Sequence, residues 1–118
     1  MGRRVLIADG NVDAAESLAL LLRLYGHDTA TAHTGPDALA AVQSYRPDAV
    51  FLALGLPKMD GREVCRRLCA GEAGARPPLV VALTGSGLEQ DRQTSLAAGF
   101  DHHLLKPADP DAILALLK

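Results

Sequence analysis

The sequence predicts a doubly wound α/β domain, a five-stranded parallel sheet in the order 2-1-3-4-5 with five helices in three α/β/α layers. Three observations predict it. Short apolar runs of strand length alternate with segments of helical periodicity along the whole chain. The strongest of those runs are continuous, as strands covered on both faces must be. The length, 118 residues, suits one domain and is too short for two. Right-handed crossovers leave few topologies, and 2-1-3-4-5 is the common order for a five-stranded unit of this kind.

The elements follow in order. Val5-Leu6-Ile7-Ala8 is a continuous apolar run and predicts a central strand, broken by Asp9-Gly10-Asn11. Asp13 with Glu16 three residues later is an acidic variant of the capping box, so the first helix is expected to begin there. Ala14, Leu18, Leu21, Leu22 and Tyr25 follow at helical spacing, and Gly26 stops the helix. Residues 28–32 form a weaker run, expected at an edge. Thr34-Gly35-Pro36 opens a second helix, Pro36 suiting its first turn, and Arg46-Pro47 ends it. Residues 48–54 predict the third strand and 60–70 the third helix. A polar loop over 72–78 leads to a buried strand over 79–83, which ends at Thr84-Gly85-Ser86-Gly87. A fourth helix is expected over 88–98, stopping at Gly99, and a fifth strand over 101–105. Lys106-Pro107 follows, and Asp109-Pro110 opens a last helix to the terminus.

Composition narrows the function. Hydrophobic residues make up 48% of the chain, which argues against disorder. There is no Trp and only two Phe and two Tyr, so little aromatic surface exists for stacking bases or sugars. The net charge is −2 and the Lys and Arg residues are scattered, with no footprint for a phosphate backbone. Direct nucleic-acid binding is therefore not expected. No apolar run approaches the ~20 residues that span a bilayer. Met1-Gly2-Arg3-Arg4 leads straight into a strand without a small-residue cleavage site, so the cytoplasm is the expected compartment. Cys65 and Cys69, four apart on one helix, are too few for a zinc site and wrongly spaced for a redox C-x-x-C. They read as reduced, partly buried small hydrophobes.

In a doubly wound sheet, chemistry gathers outside the carboxyl ends of the strands. Those ends carry Asp9-Gly10, Ala53-Leu54-Gly55, Thr84-Gly85-Ser86 and Lys106-Pro107. An acid, a hydroxyl and a lysine thus converge on one crevice. With Leu56-Pro57-Lys58-Met59-Asp60-Gly61 after the third strand and Ala97-Ala98-Gly99-Phe100-Asp101 before the fifth, nearly the whole chain resembles the receiver domains of two-component response regulators, CheY-like and flavodoxin-like in fold.

The resemblance implies a signalling domain rather than an enzyme, with no catalytic residue of its own. In that family an aspartate at the Ala53 position accepts a phosphoryl group from a histidine kinase. Magnesium is held there by an acidic pair, the acceptor aspartate and a backbone carbonyl. Here Ala53 has no nucleophilic oxygen, and Gly10 replaces the acid that usually touches the metal. Only Asp9 and the Gly55 carbonyl remain, whereas magnesium normally takes one or two direct carboxylates. No useful magnesium binding and no phosphorylation at this site are expected, and no other metal site. The pocket of Asp9, Gly10, Ala53, Gly55, Thr84 and Lys106 is then vestigial, with Lys106 expected to pair directly with Asp9.

The other candidates are weaker. Thr84 and His103 match the family's switch positions, though Thr84 reads equally as a strand-end residue bonding local backbone. His102 falls on the opposite strand face from His103, so the two make a poor metal site. His27 and His33 have no partnering motif and read as surface residues. Asp60 suits a helix start and lies too far beyond Ala53 to replace it as acceptor. The Lys106-Pro107 peptide is expected to be cis by resemblance.

The function expected is therefore a receiver-like module, residues 1–118, excised from a longer phosphorelay protein and acting by protein–protein contact. Its partners would be a histidine kinase or linked domains of the parent protein. A homodimer is possible through the helix over 88–98, the fifth strand and the last helix, which carry Leu88, Leu96, Ala112, Ile113, Leu116 and Leu117. The alternative is a working phosphoacceptor whose aspartate was engineered to alanine, against which Gly10, a second lesion, weighs. A flavin or nucleotide site is disfavoured because Asp9-Gly10-Asn11-Val12-Asp13 is acidic where a phosphate loop must not be.

Overall fold

The computed structural model describes residues 2–70, 79–84, 99–106 and 109–117. The elements run β1 (Arg4–Ala8), α1 (Val12–Leu24), β2 (Asp28–Ala32), α2 (Gly35–Tyr45), β3 (Ala49–Ala53), α3 (Gly61–Cys69), β4 (Leu79–Thr84), β5 (His102–Leu105) and α4 (Pro110–Leu116). The helix expected over 88–98 lies outside the described residues. The sheet is parallel throughout, in the order β2-β1-β3-β4-β5. The weak Asp28–Ala32 run is at an edge, as its composition requires.

Strand residues alternate between two cores. Leu6, Ala8, Val50, Leu52, Val80 and Ala82 face α2 and α3, meeting Ala38, Val42, Val64, Cys65 and Leu68. Val5, Ile7, Ala49, Phe51, Val81 and Leu83 face α1 and α4, meeting Ala15, Ala19, Leu22 and Ile113. This two-sided burial explains why β1, β3 and β4 read as unbroken apolar runs. Of the apolar residues in the expected docking region, several of which must face the core, Ile113 and Leu117 are buried in the second core and Ala112 and Leu116 are half-buried, while Leu88 and Leu96 lie outside the described residues.

The helix starts show which polar groups win the exposed backbone N–H groups. Thr34 caps α2 by accepting from Asp37 N, with Pro36 in the first turn, and Asp60 caps α3 by accepting from Arg62 N. The expected start of α1 at Asp13 is corrected: Asn11 is the cap, accepting from Ala14 N at 3.1 Å. Asp9 Oδ1 in turn accepts from Asn11 N at 2.9 Å, which turns the chain two residues early. Asp13 then sits in the first turn, favourable to the helix dipole.

Cys65 is fully buried on α3. Burial pushes its thiol up to about 12, from an ordinary 9.0, and the neighbouring Cys69 adds to the shift. The folded chain therefore keeps this proton where the unfolded chain releases it. The stability gained is fully present below the unfolded value and is lost as pH rises from there towards 12. Tyr45 contributes with the same sign, raised chiefly by burial and then by Asp28. Urea unfolding between about pH 8 and pH 11 is expected to show stability falling with a slope approaching ~1.4 kcal/mol per pH unit for one such group. Cys65→Ala is expected to leave only a shallower slope. An unchanged slope would remove Cys65 as its source.

Candidate functional site

The carboxyl ends of β1, β3, β4 and β5 border one cleft of about 320 Å³, lined by Asp9, Gly10, Asn11, Ala53, Leu54, Gly55, Pro57, Leu83, Thr84 and Lys106. All six residues expected in the pocket line it. His103 does not, and Pro107, with the peptide expected to be cis, lies outside the described residues.

Backbone pairing brings the site together. Asp9 N donates to Ala32 O at 3.0 Å, holding the end of β1 against β2. Leu54 N donates to Leu83 O at 3.1 Å, and Lys106 N to Thr84 O at 2.6 Å. The β3–α3 loop is pinned in turn by Gly61 N to Leu54 O at 3.0 Å and Gly35 N to Pro57 O at 3.1 Å. Both glycines are required by close approach. A Cβ on Gly61 would lie 2.4 Å from Ala53 O, and one on Gly35 would lie 2.5 Å from Met59 O. Lys58 takes the left-handed conformation in the same loop, with φ 68°.

At the centre Lys106 Nζ donates to Asp9 Oδ2 at 2.5 Å. The Asp9 side chain is 8% exposed and that of Lys106 33%. Asp9 Oδ1 already accepts from Asn11 N, so both carboxylate oxygens are engaged. A buried carboxylate without a partner is costly, and here the lysine and one backbone N–H supply the compensation. The cleft is therefore close to neutral.

The donor set does not fit magnesium. Ala53 and Gly10 offer no side-chain oxygen, and Asp9 is committed to Lys106 and Asn11. A Cβ on Gly10 would meet the Pro57 ring at 2.8 Å, so that ring occupies the direction an acidic side chain would leave by. Among the described residues no group of three or more His, Cys, Asp or Glu could hold a metal. Asp60 caps α3, is paired with Arg62 and does not line the cleft, so it offers no second nucleophile there.

Two placements were not legible in the residue pattern. His33 reads as a surface residue but is half-buried, its Nδ1 donating to the Asp9 backbone carbonyl at 3.0 Å. Only the β1–β2 register, Ala8 against Ala32, brings it there. Pro57 belongs to a recognisable run, yet nothing in that run says its ring lies over Gly10. His103 is half-buried on β5, beside Ala82 of β4, with its Nε2 buried and unpartnered among the described residues. His102 is exposed, and His27 is half-buried with its Nδ1 accepting from Arg3 N.

Comparison with known proteins agrees with the geometry. A sequence model described as the response regulator receiver domain matches residues 5–118. The DNA-binding response regulator MtrA of Mycolicibacterium paratuberculosis is 38% identical over 118 residues, covering all of this chain and 51% of that protein. The chain thus spans about half the length of the curated relatives it matches. The receiver domain of a sensor histidine kinase of Pseudomonas aeruginosa, solved with magnesium in its active-site cleft, superposes with a TM-score of 0.86 at 29% identity, covering 99% of this chain and 95% of that one. The receiver domain of the Saccharomyces cerevisiae response regulator Ssk1, solved with the histidine phosphotransfer protein Ypd1, gives a TM-score of 0.90 at 25% identity, covering 98% and 86%.

Proposed function

The chain belongs to the response regulator receiver domain family of two-component signalling, and from that premise we propose that it is a degenerate receiver, not phosphorylated at the usual position, which signals by protein–protein contact. The observation that carries this reading is the Lys106–Asp9 ion pair beside Ala53. In a receiver that accepts a phosphoryl group, the lysine must be available to neutralise it and the acids must hold the metal. Here the lysine is bonded to the one acid left, and no carboxylate stands at the end of β3. The cleft needs neither metal nor phosphate to balance its charge.

On this reading the residues 1–118 are one module of a longer signalling protein, in keeping with the chain's half-length match to its relatives. Its partners are a histidine kinase, a phosphotransfer protein or domains of its own parent. No helix among the described residues is long and apolar enough to cross a membrane. The proposed homodimer face takes in β5 and α4, where Leu105 is exposed.

Intact mass after incubation with magnesium and acetyl phosphate tests the reading, with Ala53→Asp in parallel. No phosphoryl adduct is expected on the chain itself or on Ala53→Asp. An adduct on Ala53→Asp alone would reduce the lesion to the missing nucleophile and return the cleft to a working form. An adduct on the unaltered chain would overturn the proposal.

A further inference from the structure

The far end of α3, away from the cleft, holds two thiols that the signalling role does not use. Cys65 and Cys69 are one helical turn apart and share a face. Cys65 is fully buried and Cys69 is exposed. Gly99 lies directly against them. Its φ is +105°, and a Cβ built on it would sit 2.7 Å from Cys69 Sγ and 3.8 Å from Cys65 Sγ. Both sulfurs therefore lie over the Gly99 backbone, Cys69 Sγ filling the place a Cβ would take, so a residue without a side chain is needed beneath them. The Gly99 carbonyl is a further neighbour, 3.7 Å from Cys69 Sγ.

We propose that Cys65 and Cys69 form a two-coordinate site for a soft monovalent cation, with Cu(I) as its type. Thiolates select soft ions, and Cu(I) is satisfied by two sulfurs where zinc in a structural site wants four ligands. No third ligand is on offer from the neighbouring acid, because Asp101 Oδ2 accepts from Val80 N at 2.8 Å. Cys69 gives the ion its way in from solvent, and Cys65 gives it a dry second ligand. Binding exchanges two S–H bonds for two S–Cu bonds and releases both protons to water, with no change in oxidation state. The bis-thiolate centre carries one negative charge, with Asp101 and then Arg66, of opposite sign, acting on it.

The test is an anaerobic titration of the fully reduced chain with Cu(I) buffered by bicinchoninate, whose colour reports the free ion. One equivalent withdrawn from the indicator is expected. Cys69→Ala and Cys65→Ala are each expected to abolish the withdrawal. Cys69 is exposed, so its variant should keep the native circular dichroism and remains decisive if the core variant unfolds. X-ray absorption of the loaded chain should show two sulfur ligands. No withdrawal by the unaltered chain, undiminished withdrawal by folded Cys69→Ala, or a nitrogen-rich ligand set would each overturn the site.

Discussion

Replacing Gly61 by alanine is expected to lower the unfolding free energy by about 3 kcal/mol, at the upper end of what overpacking costs, and the melting temperature by about 10 °C. Gly61 is the first residue of α3, a position where alanine would ordinarily be the better helix former. Propensity is overruled by contact. The added methyl would lie 2.4 Å from Ala53 O, 3.2 Å from Ala53 C and 3.1 Å from Leu54 Cα. All three are backbone atoms of β3 or the turn leaving it, held by Leu54 N to Leu83 O and by Gly61 N to Leu54 O. No flexible side chain can yield, so the helix start must move away from the sheet. Urea unfolding measures the loss. A change smaller than about 1 kcal/mol would mean that this end of α3 re-seats freely.

Lys106→Met is expected to cost about 2 kcal/mol, because it leaves Asp9 buried with only the Asn11 N–H. The full penalty for orphaning a buried charge is larger, roughly 3–5 kcal/mol, and is discounted here because the Lys106 side chain is one-third exposed. Adding Asp9→Asn should recover part of the loss, since a neutral amide can sit in the same place without a counter-charge. The coupling read from the double-mutant cycle should exceed about 1 kcal/mol. Additive costs would show that the two groups are bonded without depending on each other for stability. The same double variant bears on function, because a cleft emptied of both charges should dock its partners unchanged if partner contact lies elsewhere.

Much of the fold could be read from the residues because both faces of the sheet are buried. That constraint writes β1, β3 and β4 as unbroken apolar runs and leaves β2, with Thr29 and Thr31, visibly different. The cleft could be read for a related reason: the topology itself brings carboxyl ends together, so Asp9, Ala53, Thr84 and Lys106 needed only to be placed at strand ends. What escaped was decided by distances below one residue. Asn11 and Asp13 are both good caps, and the choice between them followed from Asp9 Oδ1 holding Asn11 N. The need for glycine at 61 and 35 arises from how closely a loop passes, which no local pattern encodes. His33 reached Asp9 through strand register alone.

The Lys106–Asp9 bridge also bears on time. Its partners are 97 residues apart, so it closes almost the whole chain. No local segment can form it early, because β5 must first pair with β4 and β4 with β3 before the lysine reaches the end of β1. Contacts of that separation are usually among the last made as the barrier is crossed. Their loss then falls on the rate of leaving the native state, with little effect on the rate of reaching it. A chevron of Lys106→Met should show the unfolding arm raised and the refolding arm in place. In this chain Lys106 acts as a clasp, setting how long the sheet stays closed.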